Sequence, residues 1–159
     1  MDPAQTQALR HMLLQQDVAA LGTLHGGEPF VSMVPYALLS GGRGFVIHVS
    51  RLATHTKDME THAGVSLLVM DERTPEVLPQ ALPRITVQGQ ASRCGPEDPL
   101  HAEAREAYLA RFPDSEELFG FADFALFVIA PRALRVVGGF AQAWSVTAAD
   151  YVRWMAASG

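Results

Sequence analysis

Ser50-Arg51-Leu52-Ala53-Thr54-His55-Thr56-Lys57 is the point where the chain changes period. Before it, Phe45 to Val49 reads as an apolar strand. After it, His55 to Thr61 reads as a short helix that Thr54 can cap. The segment holds three hydroxyls, an arginine, a histidine and the only lysine of the chain. Backbone N–H groups at a helix start point outward unpaired, and the helix dipole adds partial positive charge there. Arginine grips a phosphate through two parallel bonds, and lysine adds a point charge. The segment therefore reads as a phosphate cradle. The alternative reading is an ordinary cap followed by solvated polar residues.

Upstream, Thr6 to Gln16 has helical spacing, and Val18 to His25 and Phe30 to Leu39 read as two strands joined by Gly26-Gly27-Glu28-Pro29. Pro35 inside the second strand points to an edge or a bulge. With Phe45 to Val49 these strands predict an antiparallel meander. Downstream, Gly64 to Met70 is a strand. In Pro83 to Ser92, Arg84, Thr86, Gln88 and Gln90 alternate with Ile85, Val87, Gly89 and Ala91. Pro96 to Arg111 reads as a helix. Asp123 to Ala130 and Ala133 to Val137 read as two strands parted by Pro131, Phe140 to Val146 as an extension of the sheet, and a last helix starts near Thr147. Short antiparallel strands interleaved with helices predict a mainly β protein, a partly closed barrel flanked by helices.

The chain has 159 residues, 48% hydrophobic and 18% charged, as expected for one globular domain. The single cysteine, Cys94, excludes an internal disulfide framework and fits a cytoplasmic protein. The N-terminus lacks the pattern of a signal peptide, and no apolar stretch approaches the ~18 residues of a membrane helix. A net charge of −5 disfavours nucleic acid as a partner. Yet Pro29 to Lys57 contains no acid while carrying Arg43, Arg51 and Lys57, and Val77 to Pro96 is acid-free with Arg84 and Arg93. Two such stretches could converge on a small anion; equally, apolar strands simply hold few acids. The histidine spacings, such as His55 and His62, form no metal site.

The motifs Ser50-Arg51-Leu52-Ala53-x-His55-Thr56-Lys57, Gly64-Val65-Ser66-Leu67-Leu68 and Arg84-Ile85-Thr86-Val87-Gln88-Gly89-Gln90-Ala91 occur in that order. Together with Gly27-x-Pro29-Phe30-x-Ser32-x-Val34-Pro35-Tyr36, they resemble the pyridoxamine 5′-phosphate oxidase-like FMN-binding proteins, specifically the haem-utilisation branch. The resemblance is good over Val18 to Ser92 and looser at Gly138-Gly139-Phe140-x-x-Ala143-Trp144. It implies a six- to seven-stranded antiparallel split barrel that works as a homodimer, with FMN at the subunit interface. It implies phosphate contacts from Ser50, Arg51, His55, Thr56 and Lys57. Ser32, Met33, Val34, His48 and Val49 would line the flavin, with Arg84 near the cofactor and Trp144 walling the ring from the partner chain.

The loop lacks the consecutive Ser-Arg-Lys of true pyridoxamine phosphate oxidases. Ser32 stands nearest to their second-strand arginine, which argues against pyridoxamine phosphate as substrate. The expected function is an FMN-dependent oxidoreductase of unknown substrate; the alternative is a non-catalytic flavin- or haem-binding protein. No catalytic residue is singled out. The apolar runs Val65 to Met70 and Phe124 to Ile129 are further expected to need a second copy to cover them.

Overall fold

The computed structural model describes residues 2–157. Helix α1 (Pro3–Gln15) begins with a reciprocal cap: the Asp2 carboxylate accepts from the Gln5 N–H at 2.8 Å, and the Gln5 side chain accepts from the Asp2 N–H at 3.0 Å. Strands β1 (Val18–His25) and β2 (Glu28–Pro35) form a hairpin whose loop is only Gly26-Gly27. Both glycines have positive φ, 57° and 81°, as the favoured two-residue hairpin turn requires.

The second strand does not run on to Leu39. Tyr36 breaks it, and β3 (Ala37–Leu38) pairs instead with β4 (Phe45–Ser50). Pro35 has no N–H for a ladder, and the Tyr36 N–H leaves the sheet to reach the Asp17 carbonyl at 3.0 Å. The expected meander is thus split into two pairs. The rest of the sheet is β5 (Gly64–Met70), β6 (Arg84–Arg93), β7 (Phe124–Gly139) and β8 (Gln142–Thr147). Its order is β2-β1-β5-β6-β7-β4-β3, with β8 also on β7, and every pairing is antiparallel. The two ends of this eight-stranded order, β2 and β3, are consecutive in the chain, so Tyr36 marks the seam of a split barrel.

The two strands expected around Pro131 are one strand, β7, carrying a bulge. Gln88 pairs with Ala133 and Gly89 with Pro131, leaving Arg132 as the extra residue. Gly89 is needed there: a Cβ would lie 2.6 Å from the Ala130 carbonyl oxygen. The bulge lets the first half of β7 pair with β4 and the second half with β8.

The inner face of the curled sheet buries Leu21, Ile47, Leu67, Ile85, Val87, Phe127 and Val136, closed by Tyr36, Phe45 and Tyr151. Tyr151 comes from α4 (Ala148–Ala156), for which Thr147 is the N-cap. A second apolar layer lies outside β4 and β7, under α3 (His101–Arg111), with Val46, Leu126, Val128, Ala104 and Tyr108 buried in it. The Phe124 to Ile129 run is therefore packed on both faces within one chain. Val65 to Met70 alternates, with Val65, Leu67 and Val69 inward and Leu68 and exposed Met70 on the outer face. Helix α3 starts at His101 rather than Pro96, because Cys94 to Leu100 forms turns around Gly95 and Pro99. A 3-10 segment, Pro113–Gly120, follows it. Among the described residues, no helix is long and apolar enough to cross a membrane.

Candidate functional site

Helix α2 (Thr54–Thr61) is capped by Ala53, not Thr54, and no side chain bonds to its first amides. The Ser50–Lys57 segment is more tightly bound than its composition suggests. Thr56 is 0% exposed, and its hydroxyl donates to the Ser50 carbonyl at 2.6 Å. The Ser50 hydroxyl accepts from the Leu52 N–H at 3.2 Å. Arg51 and Lys57 are the exposed cations of the turn.

Across the seam, Ser32 Oγ on β2 lies 2.9 Å from His55 Nδ1 on α2. Burial pushes the His55 imidazole below its ordinary pKa, with the nearby Asp58 charge opposing. One turn further along α2, buried Asp58 joins the same hairpin. Its Oδ2 accepts from the Thr23 hydroxyl at 2.8 Å, and its Oδ1 lies 2.7 Å from His25 Nδ1. Burial works against the Asp58 charge. Hydrogen bonds from His25 and Thr23 outweigh it and hold the carboxyl below the usual range. A carboxylate only accepts, so His25 Nδ1 carries a proton, and in the neutral ring Nε2 keeps its lone pair. The ring lies beside Phe30, with centroids 5.8 Å apart.

Beside this cluster, the outer face of β2, β1, β5 and β6 holds a groove of about 500 Å³. Leu24, Pro29, Phe30 and Val31 form one wall; Gln88, Gln90, His62 and Arg132 supply polar groups. With its amide oriented to suit, Gln90 accepts from both Arg132 terminal nitrogens at 2.9 and 3.0 Å. His62 Nδ1 accepts from the Gly64 N–H at 3.1 Å, which leaves the proton of the neutral ring on Nε2. Among the described residues no helix covers this face, and Val31 and Met33 are 70% and 61% exposed on it.

Of the twelve residues expected at a cofactor site, the structure gathers Ser32, Ser50, His55 and Thr56, with Arg51 and Lys57 at the rim. Met33 faces outward beside the groove, while Val34 and Val49 are buried on the inner face. The His48 side chain points to the opposite side of β4 from Val49. There it stacks on Phe119, with centroids 3.8 Å apart and planes 7° from parallel. Arg84 donates to the Leu82 and Gln80 carbonyls at 2.9 and 3.3 Å, tying down its own loop. Trp144 lies half-buried against the barrel core, over Gly138, where a Cβ would come within 2.8 Å of its ring. Sequence reading missed Thr23, His25, Asp58, His62 and Arg132. Asp58 had one visible signal, as the first acid after a long acid-free stretch. Among the described residues no cluster of three or more His, Cys, Asp or Glu could hold a metal ion.

Comparison with known proteins agrees with this architecture. Residues 5–138 match the family described as pyridoxamine 5′-phosphate oxidase. The chain is 37% identical over 118 residues to the non-canonical heme oxygenase HOZ of Arabidopsis thaliana chloroplasts, covering 74% of this chain and 34% of that protein. It is 28% identical over 127 residues to the heme oxygenase HutZ of Vibrio cholerae, covering 79% of this chain and 71% of that one. A solved heme-binding protein from Mycobacterium smegmatis superposes with a TM-score of 0.84 at 30% identity, covering 96% of this chain and 62% of the other. The chain thus spans about a third of the chloroplast protein and under two thirds of the mycobacterial one. The order of the motifs, the split barrel and the match over residues 5–138 agree, and the chain belongs to the pyridoxamine 5′-phosphate oxidase family, in the haem-utilisation branch.

Proposed function

We propose that this chain binds haem, acting within a homodimer whose second copy covers the outer face of β1, β2 and β5. The supporting observation is the groove on that face. It joins a flat apolar wall to Arg132 and the His62 Nε2–H, which suit the carboxylates of an amphipathic planar ligand. The haem-protein names of the relatives support the same ligand. His25 is not among the residues lining the groove; its ring leaves β1 on the Thr23 and Asp58 side and stands beside Phe30, which does line it, and from that rim it is the candidate iron ligand. A histidine that gives its Nδ1–H to a carboxylate presents a more basic Nε2 to a metal, and buried Asp58 is held for that task by Thr23. His62, with its proton on Nε2, fits instead as a donor. Bound haem would supply iron-centred redox and oxygen chemistry.

Titration with haemin, followed by the Soret band, tests this reading. One haem per protomer is expected. The His25→Ala variant should bind at least about tenfold more weakly and show a different Soret maximum, reversed by added imidazole. No saturable haemin binding would refute the function; an unchanged His25→Ala spectrum would refute the ligand assignment. Sedimentation tests the dimer: Met33→Glu is expected to give monomers, and a monomeric wild type would refute it.

FMN is a second reading, favoured by the start of α2, where the amides have no side-chain cap and Arg51 and Lys57 are exposed. On this reading Arg51→Ala or Lys57→Ala weakens FMN by about tenfold to a hundredfold and riboflavin much less, because riboflavin has no phosphate. Equal losses for the two flavins, read by fluorescence quenching, would refute a phosphate contact.

A further inference from the structure

A second pocket, of about 480 Å³, lies at the far end of the sheet from the groove, where β4 and β7 meet α3 and the 3-10 segment after it. The haem reading does not use it, and of the twelve residues the resemblance places at the cofactor it holds only His48. One wall is a three-layer stack. The His48 ring lies flat on Phe119, 3.8 Å between centroids, and the Arg105 guanidinium sits over the same phenyl ring, 5.0 Å from its centroid. His48 is 7% exposed. Its Nδ1 is buried with no hydrogen-bond partner. A buried lone pair costs less to leave unmatched than a buried N–H, so the proton belongs on Nε2, the nitrogen left for the pocket.

Arg93, at the end of β6, and Arg105 both line the pocket, and neither forms an ion pair among the described residues. In a chain of net charge −5, two free guanidiniums beside one pocket are an anion site in waiting. Glu116 also lines the pocket, and the Glu97 and Asp98 charges reach the lining residue Cys94, so the two guanidiniums are its cations in an otherwise acidic surround. The His101 Nδ1–H donates to the Cys94 carbonyl at 2.9 Å, which leaves the ring's Nε2 for the pocket. The remaining lining is mostly small and apolar, with two further phenylalanines, Phe124 and Phe121, the latter half-exposed at the mouth.

We propose that this pocket binds a small aromatic monocarboxylate. Arg93 and Arg105 hold its carboxylate, the His48 Nε2–H contributes a further donor, and its ring lies against the phenylalanines. The paired guanidiniums suit a carboxylate, and the three phenylalanines favour a flat apolar body over an inorganic ion. The stack serves to fix the guanidinium before the ligand arrives, which lowers the ordering cost of binding.

The test uses 4-fluorobenzoate as the probe, followed by fluorine NMR line broadening on the full chain, with 4-fluorobenzyl alcohol as its uncharged counterpart. Saturable binding with a dissociation constant below about 1 mM is expected for the carboxylate, and at least tenfold weaker binding for the alcohol. Arg93→Gln and Arg105→Gln should each weaken the carboxylate at least tenfold and leave the alcohol unchanged. Arg153→Gln, on α4, should change neither. Arg93 is exposed at a strand end, so its variant tests the site even if loss of Arg105 loosens the stack, which thermal melting would reveal. Absence of saturable binding, equal losses for both probes, or displacement of the probe by haemin or FMN would each overturn the proposal, the last by placing the probe in the cofactor site.

Discussion

Arg111, the last residue of α3, should be among the costliest polar residues to remove, because it ties α1 to the seam of the barrel. Its guanidinium donates to the Leu14 carbonyl at 2.9 Å and to the Gln16 carbonyl, reaches the Leu13 carbonyl at 3.4 Å, and lies over the Tyr36 ring at 4.8 Å from the centroid. These carbonyls are the unpaired acceptors at the C-terminus of α1, where the helix dipole is negative. Tyr36, 0% exposed, donates its hydroxyl to the Leu13 carbonyl at 2.8 Å. A charged hydrogen bond is worth roughly 1.5–3 kcal/mol, and the cation–ring contact roughly 0.5–2 kcal/mol. The contributions share partners and do not add, so Arg111→Ala should cost about 3 kcal/mol. For a chain of this size that lowers Tm by about 6–12 °C. Tyr36→Phe should cost about 1 kcal/mol, since Arg111 still serves the Leu13 carbonyl. Urea unfolding of both single variants and the double variant gives the coupling, expected at about 0.5 kcal/mol or more. A loss below about 1 kcal/mol for Arg111→Ala, with no coupling, would refute the clamp.

Three further outcomes follow from the geometry. Burial lowers the His48 pKa to about 4, so the unfolded chain takes up the proton first; stability should fall as pH drops from about 6.5 to about 4, by on the order of 2–3 kcal/mol, and a His48→Phe variant should lack this contribution in acid urea titrations. Gly89→Ala should destabilise by roughly 1–3 kcal/mol in thermal melts, because its Cβ meets the Ala130 carbonyl oxygen at the bulge; a neutral effect would mean the bulge relaxes freely. Asp2→Ala removes the cap of α1 and should cost about 1 kcal/mol, whereas Asp2→Asn should cost much less; equal losses would assign the effect to charge instead of capping.

Much of this architecture was legible from local chemistry. Alternation places Ile85, Val87 and Ala91 inside and Arg84, Thr86 and Gln88 outside, as observed. Gly26-Gly27 marks a turn, and Thr147 with Asp150 marks the start of α4. The barrel class and the family follow from motifs whose spacing survives in one dimension. Pro35 and Pro131 were visible as interruptions, but their consequences were not. One ends a strand and sends the chain across the seam, while the other is absorbed in a bulge opposite Gly89. The difference lies in whether a neighbouring strand can take up the lost ladder bond, which only the assembled sheet decides.

The candidate site divides the same way. Composition marked Ser50–Lys57 as rich in donors, yet folding spends Thr56 and Ser50 on the turn itself and leaves Arg51 and Lys57 exposed. His25 and Asp58 are 33 residues apart in sequence and 2.7 Å apart in space. His48 and Arg105 become a stack only because Phe119 inserts between them. Periodicity is a property of each segment and can be read there. Hydrogen-bond partners and charge neighbours are short-range in space and carry no signature along the chain, so they exist only once the sheet has closed.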